Sequence, residues 1–251
     1  MERLLENCAY SALSALNAQI GGADRVELCS GMAEGGTTPS YGEIVAARKV
    51  LTSARLHVII RPRGGDFLYD DIELEAMLND IKMAKSIGAD GIVLGCLTAD
   101  GSIDTANLKI LLKAAEGMPT TFHRAFDVCN DPLEALETII NLGFDRILTS
   151  GQQPDAEHGI PLLRQLVERA ADRIIIMPGC GINANNILRI ALETGATEFH
   201  SSAKRIMASR MTYHNEAVSM GDKGTDEYTR TITDPDKIRQ LKSIISNIKN
   251  L

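Results

Sequence analysis

The sequence predicts an α/β protein, a single closed (β/α)8 TIM barrel with a C-terminal extension, and two observations lead there. Four segments read almost alike: Gly22-Ala-Asp-Arg-Val-Glu-Leu, Gly88-Ala-Asp-Gly-Ile-Val-Leu, Gly143-Phe-Asp-Arg-Ile-Leu-Thr and Gly195-Ala-Thr-Glu-Phe-His-Ser. Each opens on a glycine suited to end a helix in the left-handed conformation and then runs into a short stretch rich in strand formers. The four glycines stand 66, 55 and 52 residues apart. That is too long for one strand–helix unit of roughly 25 to 35 residues and right for two. One strand therefore lies hidden in each interval: His57-Val58-Ile59-Ile60-Arg61, Thr120-Thr121-Phe122-His123 and Ile174-Ile175-Ile176-Met177. Leu4-Leu5-Glu6-Asn7-Cys8 supplies the first strand and completes eight.

Length and composition agree. The chain has 251 residues, the size of one such barrel, so a single domain over 1–251 is expected. A core of Ile, Leu, Val and Ala tolerates the 4% aromatic content and the absence of Trp. The net charge of −7 argues against nucleic acid or an anionic membrane as partner. Apolar runs are only strand-sized, so no membrane span is expected. Met1-Glu2-Arg3 leads directly into a strand and leaves no room for a signal peptide. Five cysteines without a Cys-x-x-Cys motif do not make a disulfide framework. A reduced, cytoplasmic setting follows.

The elements fall in order. After strand 1 a helix from Ser11 runs to Gly21-Gly22, and strand 2 covers Arg25–Cys29. Gly31 to Pro39 form a loop, and Ser40 with Glu43 makes a capping box for the next helix. Pro62, Gly64 and Gly65 stop strand 3. Asp70 or Asp71 caps a helix with apolar residues at Ile72, Met77, Ile81, Ala84 and Ile87, a period near 3.6. Strand 4 is Gly91–Gly95, and a helix covers about Thr105 to Ala115. Asp131-Pro132 is an N-cap followed by Pro at the first helical position. Residues 203–233 show no period and read as an irregular extension, of a length that usually means function or an interface. Asp234-Pro235 opens a final amphipathic helix, 234–250, with Ile238, Leu241, Ile244, Ile245 and Ile248.

In such barrels chemistry sits at the C-terminal ends of the strands. Those ends carry Glu6, Cys8, Glu27, Cys29, Arg61, Arg63, Cys96, His123, Arg124, Ser150, Gly179, Gly181, His200 and Ser201. Strand alternation turns Glu6 with Cys8, Glu27 with Cys29, and Glu198 with His200 into the barrel, and turns Val26, Leu28 and Phe199 outward. Two thiols on adjacent strands suit Cu(I), a redox disulfide, or simply a packed core. Cys96, Cys129 and Cys180, and the extension's Met207, Met211 and Met220, read as packing. Glu6, Glu27 and His123 are acid–base candidates for catalysis, against an ion pair of the two glutamates with Arg61. Gly179, Gly181 and Ser201 occupy the usual phosphate-binding corner. Arg61, Arg63 and Arg124 would add bidentate anion contacts.

At these residues the chain resembles the CutC family of copper homeostasis proteins. The blocks that carry the resemblance are Gly22-Ala-Asp-Arg-Val-Glu-Leu-Cys29, Glu34-Gly-Gly-Thr-Thr-Pro-Ser40, Ile60-Arg-Pro-Arg-Gly-Gly-Asp-Phe67, Thr121-Phe-His-Arg-Ala-Phe-Asp127, Leu148-Thr-Ser-Gly151 and Met177-Pro-Gly179. They run in order from Glu6-Asn-Cys8 to the Glu227-Tyr228 region. The resemblance implies a TIM barrel, a cytosolic homo-oligomer (dimer or tetramer), and Cu(I) handling through cysteines that match Cys8 and Cys29. Cys180 departs from the pattern, where Gly is more usual. Two functions therefore stand against each other. One is Cu(I) binding at Cys8 and Cys29 for copper homeostasis. The other is a barrel enzyme acting on a small anionic or phosphorylated molecule. The arginines favour the anion, the cysteine pair favours the metal, and the sequence leaves open whether the protein is an enzyme.

Overall fold

The computed structural model describes residues 3–215, 217, 218, 220 and 226–248. Eight strands alternate with helices: β1 Leu4–Ala9, α1 Ala12–Gly21, β2 Arg25–Leu28, α2 Tyr41–Val50, β3 Arg55–Ile59, α3 Asp71–Ile87, β4 Gly91–Leu94, α4 Thr105–Ala114, β5 Thr120–Phe122, α5 Pro132–Leu142, β6 Arg146–Thr149, α6 Ile160–Ala170, β7 Ile175–Pro178, α7 Ile187–Thr194 and β8 Glu198–Ser201. All ladders in this sheet are parallel and run in the order β7-β6-β5-β4-β3-β2-β1-β8. The ring closes where Gly179, just after β7, stands against His200 of β8. This is a TIM barrel.

The fourfold repeat has a physical basis. Gly22 at φ +91° and Gly88 at φ +87° end their helices in the left-handed region, each donating its N–H to carbonyls of the last turn. The Asp two residues on accepts an N–H from the first or second residue of the preceding strand: Asp24 from Leu5, Asp90 from Leu56 and Asp145 from Thr120, each at 2.7 Å. The next residue points into the barrel. Arg25 meets Glu6, Glu198 and the Met177 sulfur (3.3 Å), and Arg146 donates to Glu198 at 3.2 Å. In the second repeat this position is Gly91, where a methyl would lie 2.5 Å from His57 Nε2. Arg25, Gly91, Arg146 and Glu198 thus form one layer contributed by alternate strands.

The aliphatic core lies outside the sheet. Leu5, Val26, Leu28, Leu56, Val58, Ile92, Leu94, Phe122 and Phe199 pack with helix residues such as Ile44, Met77, Ile81, Leu108, Leu136 and Leu163. Inside the barrel the apolar cluster is small, Cys8, Cys29, Ile59 and Val93 with Tyr10 against them. Buried charges lie beneath it, among them Glu6, Arg25, Arg146 and Glu198. Ion pairs of this kind stabilise little over an apolar filling, but removing one member leaves the others charged and unpaired.

The extension differs from its sequence reading. Lys204–Ala208 forms β9 and Thr229–Thr233 forms β10, an antiparallel pair with Lys204 opposite Thr233. Most of their side chains are exposed, Ile206 by 75%, so the pair needs no alternating apolar pattern and shows none. Residues 216, 219, 221–225, 249 and 250, which the irregular extension and the last helix also span, lie outside the described residues. The base of the pair is tied to the barrel: Thr233 Oγ1 donates to Asn7 Oδ1 at 3.0 Å, and Asn7 donates to the Ser201 carbonyl at 2.8 Å. Helix α8, Pro235–Asn247, starts at the Asp234 cap. It packs Ile238 so closely that a methyl at Gly21 would fall 2.5 Å from its Cβ. Among the described residues no helix is long and apolar enough to cross a membrane.

Candidate metal and ligand site at the barrel mouth

Two positions above each repeat's inward residue lies the next inward layer, Glu27 and Leu148 among its members, with His200 at the equivalent place on β8. In register, Cys8 stands beside Glu27 and Glu6 beside His200. These ladders bring Cys8, Glu27 and His200 together, with one ligand atom of each within 4.8 Å of the others and all three buried. Cys29 joins from one step further along β2, its sulfur 3.7 Å from that of Cys8. His200 Nδ1 lies 2.8 Å from Glu6 Oε1, and its Nε2 lies 3.6 Å from Glu27 Oε2. Glycine lets the chain after β7 come close here: a methyl at Gly179 would fall 2.4 Å from Leu148 Cδ1 and 3.3 Å from His200 Cβ.

The environment splits like groups apart. The hydrogen bond from Cys29 pulls the Cys8 thiol well below its ordinary range, with His200 assisting against burial. Burial, then Cys8 itself, pushes Cys29 well up. The opposite shifts disfavour two thiolates at this spacing. Burial would raise Glu6, but Arg25 and then His200 outweigh it and hold the carboxyl well below the usual range. Burial and the Cys8 charge push Glu27 well up. For His200 burial is also the largest influence and favours the neutral ring; Cys8, Glu6 and Glu27 outweigh it and raise the ring well above its ordinary value. Burial, followed by the two thiols, raises the Tyr10 phenol.

The cation opposing the carboxylates at the thiols is His200 rather than Arg61, and the partner of Glu6 is Arg25 rather than Arg61. Arg61 instead donates to the carbonyls of Glu34, Gly36 and Gly65 at 2.7–2.9 Å and stacks on Phe67, 4.9 Å from the ring centroid. Arg63 pairs with Glu73 at 2.5 Å and with Asp66 at 3.0 Å and does not line the cavity. Arg124 lines it while bonded to Asp127 at 2.7 Å. His123 accepts the Ala125 N–H at Nδ1, 3.2 Å, and burial with Arg61 nearby lowers its pKa to about 3. Ser201 and Gly181 line the cavity; the Ser201 hydroxyl is spent on the Ile182 carbonyl, 2.7 Å, and Asp155 adjoins Gly181. Gly179 lies below, against Leu148. Cys180 holds φ +75°, unusual for a side-chain-bearing residue, with its thiol 3.2 Å from the Pro154 carbonyl.

Cys8, Glu27, Arg61, His123, Arg124 and His200 line one cavity of about 670 Å³. Its rim includes Tyr10, Lys204 and Lys237, which the sequence reading passed over. Nor did that reading single out Arg25 and Arg146 beneath it. The recurring Asp-Arg of the first and third repeats is the signal that marks them.

The fold and site define a class: a TIM-barrel protein with a buried cysteine pair, a histidine and a glutamate at its mouth. The profile of the CutC family matches residues 3–205. A family protein CutC of Bacteroides fragilis is 59% identical over 98% of both chains. The human copper homeostasis protein cutC homolog is 50% identical over 98% of this chain and 90% of its own. The crystal structure of CutC from Streptococcus agalactiae superposes with a TM-score of 0.77 at 40% identity, covering 80% of this chain and 98% of that one. The chain belongs to the CutC family.

Proposed function

We propose that this protein serves copper homeostasis in the cytoplasm by binding Cu(I), as cargo, at Cys8 and Cys29. The observation that carries the reading is the 3.7 Å separation of the Cys8 and Cys29 sulfurs, with Cys8 beside Glu27 and His200 in the lining of the cavity. Thiolate and imidazole are the donors this soft ion takes, and a carboxyl driven toward its neutral form, like Glu27, competes poorly. Metal–sulfur bonds of about 2.3 Å would set linear ligands roughly 4.6 Å apart. The shorter spacing therefore favours a bent site with His200 as third ligand. Relatives named for copper homeostasis support the same role. X-ray absorption at the copper edge should find two sulfurs and one nitrogen on Cu(I). A copper shell without sulfur would overturn the assignment.

A second reading, an enzyme for a small anionic molecule, is favoured by the size of the cavity. In it Glu27, kept protonated by burial, is the acid, Glu6 holds His200 in place, and His123 is a neutral donor. Screening phosphorylated and carboxylated metabolites for turnover with the parent and with Glu27→Gln tests it; no turnover in the parent counts against it.

A further inference from the structure

We propose that the cavity binds a small organic molecule by an oxyanion head, phosphate or carboxylate, and that Arg61 and His123 form its anchor. The proposal rests on the cavity of the second reading and not on turnover. It also differs from the copper site in place, lying on β5 and the loop after β3 rather than on β1, β2 and β8.

Arg61 is 6% exposed, yet among the described residues no carboxylate lies within ion-pairing distance of it. The other buried arginines, Arg25 and Arg146, both have acidic partners. Backbone carbonyls take three of the five guanidinium N–H groups. Nε has no hydrogen-bond partner. The Tyr69 hydroxyl interacts with the guanidinium but makes no hydrogen bond and carries no charge to offset it. A buried cation held only by dipoles is costly until an anion meets it.

His123 supplies a second, independent observation. Its Nδ1 accepts the Ala125 N–H, so the neutral ring carries its proton on Nε2. That Nε2–H is buried, belongs to a side chain lining the cavity, and has no partner. His123 and Arg61 flank the same ring, Phe67, at 4.9 Å each. Gly95 is what admits His123 there, since a methyl would fall 2.7 Å from its Nδ1.

The charge around them agrees. Two arginines and two lysines line the cavity, Arg61, Arg124, Lys204 and Lys237, against a single acidic side chain among the described residues, Glu27. This occurs in a chain of net charge −7. A guanidinium edge and a neutral imidazole N–H are directional donors suited to an oxyanion. Ile59, Phe67, Leu148 and Leu241 leave apolar surface for the remainder of the ligand.

Isothermal titration of the full-length, reduced, metal-free protein with inorganic phosphate and, separately, with acetate at matched ionic strength tests the proposal and tells the two heads apart. One equivalent should bind with a Kd on the order of 1 mM or tighter. Arg61→Gln should weaken it at least tenfold, and Arg124→Gln, at a half-exposed position that should leave the fold intact, by several-fold. Because Arg61→Gln also strips three carbonyls and can unfold the loop, the parent is read directly as well: the His123 Nε2–H resonance should shift on saturation with the binding isotherm. Neither anion binding saturably would overturn the anchor, as would saturable binding with His123 unmoved. Loss of the anchor leaves copper binding and turnover as separate measurements, so the readings fail independently.

Discussion

The floor of the cavity, on β1, β2 and β8, and its wall, on β5 and the loop after β3, use one device and hold opposite chemistry. Each turns buried polar side chains inward from strand ends, and each has a glycine at a close approach, Gly179 against Leu148 beside the floor and Gly95 against His123 in the wall. On the floor every charge has a partner: Arg25 holds Glu6, Glu6 holds His200, and His200 sits between Cys8 and Glu27. On the wall Arg61 has only carbonyls, and His123 keeps a donor unused. The difference teaches that a network whose charges are paired balances itself, whereas one that leaves a buried cation and a donor unpaired has those groups left over for the oxyanion proposed above.

Arg25→Ala breaks the comparison most severely, because it strips the layer under the floor and leaves Glu6 and Glu198 buried without it. The expected cost is about 3–5 kcal/mol, roughly 10 °C in Tm. A calorimetric Tm within a degree or two of the parent would show that the floor does not depend on this layer.

Acid should act next, and through both regions. Burial lowers His57 in the lumen and His123 in the wall to about 3. The unfolded chain, with ordinary values near 6.5, binds these protons first. Their contribution is therefore complete above about pH 6.5 and is lost as pH falls toward 3. Each ring should remove about 1 kcal/mol per pH unit within that window. Glu27, raised by burial, acts in the opposite sense over the same window and offsets about one ring, so urea unfolding at steps between about pH 7 and pH 5 should show a smaller net decline; a free energy that rises as pH falls would mean that the rings are solvated.

Gly95→Ala sharpens the contrast by pressing on His123, at 2.7 Å, and on the Phe122 ring beside it, at 3.2 Å. Overpacking of this kind costs about 1–3 kcal/mol, and anion binding should weaken while Cu(I) affinity stays at the parent value. An equal loss of both would merge the two regions into one site. The smallest effect is at the junction: Cys180→Gly relieves a left-handed residue and should stabilise by about 1 kcal/mol. A destabilised variant would mean that the contact of the thiol with the Pro154 carbonyl outweighs the strain.

Much of this was legible in the residues. The Gly-x-Asp repeats are legible because each part has a fixed duty, a helix end and a cap on the neighbouring strand, and strand period then sets which side chains turn inward. The meeting of Cys8, Glu27, Cys29 and His200 follows from that alternation plus adjacency. Partner choice was not legible. Nothing local says that Glu6 takes Arg25 rather than Arg61, or that Arg63 turns to Glu73 on α3. The strands β9 and β10 were invisible because an exposed pair carries no burial pattern and its halves lie about 20 residues apart.

The central claim is that the cysteine pair on the floor binds Cu(I). Anaerobic competition against a Cu(I) chelator, comparing the parent with the Cys8→Ser, Cys29→Ser double variant, tests it most directly. The account predicts one tightly held Cu(I) per chain in the parent and its loss in the double variant, with circular dichroism showing the barrel retained. Equal affinity in the two proteins would contradict it and remove these thiols as the site.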